Sequence, residues 1–229
     1  MDTRNLLDQL LKSGQSLLQN RSSSQSMHHG GASGAGLAGQ LGGLGKGALA
    51  TGALSMLMGS KRLRKLGGKG LAYGGMAALG VLAYRAYSDW QKQNAGSAPT
   101  GMPRTVDRLS GAEAETHSRA ILKALVAAAK ADGHVDDRER QLIEEELGKV
   151  SDDAALRQWL QTELSKPLDP AEVASAAESP EIASEMYLVS LMMVDDQNYM
   201  ERAYLDGLAR NLKLDASLKA SLETQARQA

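Results

Sequence analysis

The run AKADGHVDDRER, residues 129–140, decides how the second half of this chain folds. On either side of it, His117–Ala131 and the residues up to Val150 place apolar side chains at helical spacing. Asp136 is followed three residues later by Glu139, the spacing of a capping box at a helix start. The run therefore predicts a helix, a tight acidic loop and a second helix.

A second run of the same kind, VDDQNYMER, occupies residues 194–202. Asp195 aligns with Asp132, and Glu201 aligns with Glu139 once one residue is deleted. We interpret the pair as an internal duplication of a helix–acidic loop–helix unit. Two such units can pack around one core and bring their acidic loops close together.

The sequence around these units also predicts helices. Ser151 or Asp152 can cap a helix whose apolar face runs from Leu156 to Leu164. Asp169-Pro170 and Ser179-Pro180 each combine an N-cap residue with proline at the first helical position. Later helices are expected over Ala171–Ala177, Glu181–Val194, Met200–Leu212 and Ala216–Ala226. No stretch alternates with period two, so residues 113–229 are expected to form an all-α bundle of about seven helices.

The two halves of the chain carry opposite charge. Residues 1–104 contain 12 Lys/Arg and 3 Asp/Glu, a net charge of +9. Residues 105–229 contain 14 Lys/Arg and 24 Asp/Glu, a net charge of −10. A basic segment suits an anionic membrane surface or nucleic acid, whereas an acidic one repels both. The halves are thus expected to face different surroundings.

Glycine marks the basic half as a membrane candidate. Seventeen of the 24 glycines lie between Gly30 and Gly80, and some recur at every fourth position: Gly39, Gly43 and Gly47, then Gly70 and Gly74. Small residues at this spacing let membrane helices approach closely, whereas in a soluble helix each glycine costs up to about 1 kcal/mol relative to alanine. The uncharged runs 47–60 and 70–84 are shorter than the roughly 20 residues of a full span. A disordered Gly/Ala tract is the alternative interpretation.

These patterns divide the chain into four parts. Residues 1–33 are expected to hold a short amphipathic helix and a flexible linker, and residues 34–93 the membrane-associated segments. Residues 94–112 read as a linker, and residues 113–229 as the acidic helical domain.

The acidic loops are the candidate metal site. Clustered carboxylates such as Asp132, Asp136 and Glu139 are what hard cations such as Ca²⁺ or Mg²⁺ require. The spacing is not that of an EF-hand: with Asp132 as position 1, position 6 is Asp137 and not glycine, and position 12 is Ile143 and not glutamate. A purely structural interpretation also fits, with the same residues forming a turn and a capping box. No cofactor other than such a cation is indicated.

Catalytic and nucleic-acid functions find little support in the sequence. The chain has no cysteine, and His117 and His134 have no evident nucleophile beside them. The glycines of residues 30–80 do not form a phosphate-binding loop, since no Gly-Lys-Ser/Thr follows them. The folded half is acidic, which disfavours nucleic acid. We therefore expect a protein that is not an enzyme and has no nucleic-acid partner.

The AKADGHVDDRER run with its DDQNYMER echo resembles the tellurite-resistance TerB-like domain. The layout beyond Ala35, with GSKRLRKLGGKGLAYGGMAALG and KPLDP, looks like the YebE-type family of bacterial inner-membrane proteins. The resemblance implies an all-helical domain tethered to the inner membrane, with an association to metal ions and to stress or tellurite resistance. Carried over by position, it implies these cation ligands: Asp132, Asp136, Glu139, Asp195 and Glu201.

The combined expectation is a membrane-tethered interaction or sensor module that binds membrane lipid and a protein partner. The alternative is a self-assembling membrane element, a homo-oligomer formed through the Gly-rich segment with the helical domain as a cap. For topology we prefer a single span over Gly39–Gly59, with the second segment at or near the interface and the acidic domain in the cytoplasm, because the TerB-like resemblance implies a cytoplasmic domain. In that arrangement the basic cluster Lys61–Lys69 also lies on the cytoplasmic side, which such clusters favour. A hairpin of both segments would place the domain in the periplasm.

Overall fold

The fold is a helical bundle seen in a computed structural model that describes residues 3–8, 11, 75–95, 104–131, 153–194 and 198–228. Over those residues every regular element is a helix, which confirms the predicted all-α class. The predicted membrane segment over residues 34–59 lies outside them. We number the helices α1 (residues 3–8), α2 (Gly75–Ala95), α3 (Gly111–Ala129), α4 (Ala154–Ser165), α5 (Pro170–Ala174), α6 (Pro180–Met193), α7 (Tyr199–Asn211) and α8 (Ala216–Gln228).

Short polar side chains set where several of these helices begin. The predicted caps Asp169 and Ser179 are confirmed, each accepting a backbone N–H hydrogen bond ahead of a proline at the first helical position. The predicted cap of α4 was wrong, because Asp153 takes that place instead of Ser151 or Asp152. Its carboxylate lies 3.0 and 3.1 Å from the amides two and three residues ahead, which is the reach that a cap requires.

Helix α6 is the centre of the bundle. It packs against α2, α3, α7 and α8, so side chains on all of its faces are buried. Met186, Tyr187 and Leu188 are consecutive and fully buried, which is possible only for a helix surrounded by others. The predicted apolar faces of α3 and α4 are buried in the same core.

Helix α2 belongs to this bundle although the sequence places it with the membrane segments. Leu79, Ala83 and Ala86 recur along one face, and each is at most 1% exposed where α2 packs against α6 and α8. At the end of α2 the indole N–H of Trp90 donates to Asp215 at 3.1 Å. The small residues of this stretch permit close packing of helices here, just as they would in lipid. The linker predicted at residues 94–112 therefore does not separate α2 from the helical domain.

The N-terminal helix α1 packs on the bundle as well. Leu6 and Leu7 are 3% and 0% exposed and belong to the same apolar core as α6. The sequence predicts a short one-faced helix here but does not show where its face is buried.

Among the helices within residues 3–8, 75–95, 104–131, 153–194 and 198–228, none combines the length and the hydropathy needed to cross a bilayer.

Candidate functional site

Glu201 is the single predicted cation ligand inside the described ranges. It lies in the first turn of α7, fully buried, and its Oε1 accepts a hydrogen bond from the side-chain amide of Asn198 at 3.3 Å. The other four predicted ligands lie outside those ranges: Asp132, Asp136, Glu139 and Asp195. Where side chains are described, no three His, Asp or Glu residues come close enough to hold a metal.

The first half of α3 holds the N-terminal helix. The carboxylate of Glu115 accepts hydrogen bonds from the backbone N–H of Thr3 at 2.8 Å and from that of Arg4 at 3.4 Å. The Thr3 hydroxyl donates to the same carboxylate at 2.5 Å. The first amides of a helix have no partner within it and carry partial positive charge, so an acceptor with full negative charge fits them well. Glu115 therefore acts as an N-cap for α1 from another helix.

Two further contacts complete this binding surface. The Arg4 guanidinium donates to the backbone carbonyl of Leu109 at 2.6 Å. Leu6 and Leu7 then enter the apolar core, and Leu11 packs against it from a partly buried position. We call the surface formed by Glu115, Leu109 and the core beneath Leu6 and Leu7 the α1-binding surface.

Beside that surface, α3 and α6 share a buried ionisable pair. His117 is 2% exposed and Glu185 is 0% exposed, and His117 Nε2 is hydrogen-bonded to Glu185 Oε2. The other carboxylate oxygen accepts the backbone N–H of Val106 at 3.1 Å. Burial raises the pKa of Glu185, while the hydrogen bond and charge of His117 act in the opposite direction. The pair joins three parts of the chain: α3, α6 and the turn before α3.

A cleft of about 360 Å³ opens next to this pair. Its polar walls include the following residues: Arg104, Glu113, Thr116, His117, Glu178 and Ser179. Arg104 and Glu113 form an ion pair across its exposed rim. Leu109 also lines the cleft, so the residue whose carbonyl holds Arg4 is shared by the cleft and the α1-binding surface.

On the opposite end of α3 a lysine–glutamate network ties that helix to α4 and α5. Lys123 donates to the Glu172 carboxylate at 2.8 Å, and Lys166 joins Glu172 to Glu163 at 3.1 and 2.6 Å. The hydrogen bond to Glu163 raises the pKa of Lys166. Lys130 donates to the Glu163 carbonyl at 2.9 Å and so anchors the last turn before the predicted acidic loop.

Sequence reasoning missed both Glu115 and Glu185. Glu185 carries a signal that could have been used, because it lies three residues after Ile182 and four before Val189 in a largely apolar helix. A carboxylate at such a position predicts a buried partner. Glu115 carries no such signal, since its partners are more than 110 residues away in the chain.

Comparison with known proteins gives a family but no activity. Residues 43–226 match the family described as "Protein of unknown function (DUF533)". A protein of Yersinia enterocolitica described as "Uncharacterized protein in ampR 5'region" is 32% identical over 108 residues, which are 47% of this chain and 78% of that protein. No solved structure matches the chain.

Proposed function

The chain belongs to the DUF533 family, and from that premise we propose that it is a membrane-tethered, non-enzymatic interaction module whose α1-binding surface recognises short amphipathic helices. The observation that carries the proposal is the way α1 is held. Its amides are bound by Glu115 and its leucines are buried, which is the mode by which helix-binding grooves recognise their partners.

The free energy gained by docking α1 is small enough for α1 to dissociate from the α1-binding surface. Burying Leu6 and Leu7 contributes roughly 1.5–3 kcal/mol each. This is the size of a moderate helix-in-groove contact, so a partner helix of the same pattern can compete with α1 for the surface.

A peptide-binding experiment tests this proposal on the full chain. The probe is a fluorescent peptide with the sequence of residues 1–18. We expect the Leu7→Asp variant, whose own α1 cannot enter the core, to bind the peptide at least ten-fold more tightly than the wild type. In the wild type, α1 already occupies the surface.

A second substitution separates specific from general binding. Adding Glu115→Lys to Leu7→Asp removes the acceptor for the peptide amides and is expected to weaken binding at least ten-fold. Equal binding by the single and double variants, or binding of a scrambled peptide, would show that the α1-binding surface is not used. Circular dichroism checks that both variants keep their helix content.

The tether is the second part of the proposal. The Gly-patterned segment and the basic cluster Lys61–Lys69 support attachment to the bacterial inner membrane, with the helical domain in the cytoplasm. The proposal includes a TerB-like, YebE-type relationship, and with it a stress or tellurite-resistance setting. Cell fractionation tests the tether: the chain is expected in the membrane pellet, and its recovery in the supernatant contradicts this part alone.

Cation binding at the acidic loops is a second candidate function. What supports it is the clustering of carboxylates in the two acidic runs, the donor type that hard cations require. Calorimetric titration with Ca²⁺ and Mg²⁺ should give heat that is lost in the variant combining Asp132→Asn with Asp195→Asn. No heat and no thermal shift at millimolar ion would exclude the site.

A further inference from the structure

The α1-binding surface contacts the beginning of a helix and not only its apolar face. Thr3 and Arg4 are the first two residues of α1, and both of their backbone amides donate to the Glu115 carboxylate, at 2.8 and 3.4 Å. The first four amides of an α-helix have no carbonyl partner, whereas every later amide donates to the carbonyl four residues back. Only the start of a helix therefore has amides available for Glu115.

The middle of a helix would leave the Glu115 carboxylate without these donors. Glu115 is partly buried, and the residue docked over it, Thr3, is 0% exposed, so a docked helix displaces water from the carboxylate. A carboxylate that loses water and gains no hydrogen bond in return is destabilised. The surface therefore distinguishes a helix start from an uninterrupted helix of the same apolar pattern.

Two side chains in the first turn of α1 add chemical selectivity. The Thr3 hydroxyl donates to the Glu115 carboxylate at 2.5 Å, and the Arg4 guanidinium donates to the Leu109 carbonyl at 2.6 Å. Leu109 precedes Ser110, the N-cap of α3, so its carbonyl takes no part in the hydrogen bonds of that helix. A hydroxyl and a guanidinium at neighbouring positions thus each meet an acceptor on the surface.

We propose that the partner of the α1-binding surface is a helix whose first turn lies on the surface and carries a hydroxyl residue followed by arginine. Two leucines stand three and four residues after the hydroxyl residue, as Leu6 and Leu7 do after Thr3. This proposal rests on the proposed function, in which a partner helix replaces α1, and it names the chemistry of that partner. The partner segment is one in which the helix begins directly after a loop or a chain end.

Two extended peptides test whether the surface requires a helix start. Both contain residues 3–18, with about ten added residues joined directly to Thr3: either a Gly/Ser stretch, which is flexible, or Glu-Ala-Ala-Ala-Lys repeats, which are predominantly helical. Each is titrated with the full chain carrying Leu7→Asp. We expect the Gly/Ser peptide to bind as tightly as residues 1–18 and the helical one roughly ten-fold or more weakly, because its Thr3 and Arg4 amides are already bonded.

The other results of this comparison contradict the proposal. Equal binding by the two extended peptides would show that the surface recognises a helix face and not a helix start. Weak binding by both would overturn it as well, because the flexible extension leaves the helix start intact. Circular dichroism of the peptides verifies that the Glu-Ala-Ala-Ala-Lys extension is helical.

Paired substitutions test the two side chains. We expect Thr3→Val in the peptide to weaken binding to the Leu7→Asp chain roughly ten-fold, and to have no effect once Glu115→Ala is added to that chain, because the hydroxyl has then lost its acceptor. Arg4→Gln should weaken binding to both chains equally, since its acceptor is a backbone carbonyl.

An equal effect of Thr3→Val on both chains, or no effect of either peptide substitution, would overturn the selectivity for a hydroxyl residue and arginine. A different result marks the failure of the proposed function: the Leu7→Asp chain would then bind none of the peptides, including that of residues 1–18.

Discussion

Glu185 is a carboxyl group that folding removes completely from water. Burial raises its pKa above the ordinary value of 4.5, and the nearby charge of Asp107 acts in the same direction. A group that binds its proton more tightly in the folded state stabilises the fold most below its unfolded pKa. That contribution falls as pH rises from about 4.5 through the folded pKa.

The Glu185→Gln substitution tests this linkage, because glutamine keeps the shape and an acceptor for the Val106 amide but does not titrate. We expect the variant to gain stability relative to the wild type as pH rises above about 4.5, the unfolded pKa. Urea unfolding at several pH values measures the difference. The control is Glu178→Gln, an exposed glutamate at the cleft, for which the difference should not change with pH. If the difference in unfolding free energy between Glu185→Gln and the wild type does not change with pH, the titration of Glu185 does not affect the stability of the fold.

At the scale of the elements, Gly80 allows α2 to approach the turn before α3. A Cβ atom at this position would lie 2.2 Å from Asp107 Oδ1 and 3.2 Å from the Cβ of Thr105. Asp107 cannot move freely, because its carboxylate accepts the Thr105 hydroxyl at 2.6 Å. We therefore expect Gly80→Ala to lower the free energy of unfolding by roughly 1–3 kcal/mol, the usual cost of overpacking.

The cost of the same substitution should fall when the main obstacle is removed. In an Asp107→Ala background only the 3.2 Å approach to the Thr105 Cβ remains, and it is opposed by the advantage of alanine over glycine in a helix, about 0.5–1 kcal/mol. Chemical denaturation of the two single variants and the double variant gives the coupling energy. If Gly80→Ala costs the same with and without Asp107, the close approach does not constrain α2.

Local sequence determined the helices but not their partners. The Asp169-Pro170 and Ser179-Pro180 pairs predicted the starts of α5 and α6, because capping depends on neighbours in the chain. The small residues of α2 suit a membrane helix and a packed soluble helix equally, so their pattern could not choose between the two. The contacts of Glu115 with Thr3 and of Glu185 with His117 join residues 112 and 68 positions apart, which no local pattern reveals.

For the whole molecule, the decisive point is where the folding unit begins. The sequence places the start of the helical domain near residue 113, yet α2 covers α6 and α8 from outside that boundary. Removing α2 would expose the core contacts of Leu79, Ala83 and Ala86. At about 25 cal/mol per Å² of apolar surface, the loss of one helix face is a large part of the 5–15 kcal/mol that stabilises an ordinary domain.

Two fragments test this boundary. We expect residues 75–229 to unfold cooperatively, and residues 105–229 to unfold at a markedly lower urea concentration or to bind a hydrophobic dye without denaturant. The reason is that only the longer fragment retains the helix that covers α6. Equal unfolding midpoints and equal denaturant slopes for the two fragments would show that the stability of the bundle does not depend on α2. A longer fragment carrying Leu79→Asp should behave like the shorter one, because a buried charge at that position would prevent α2 from packing on the bundle.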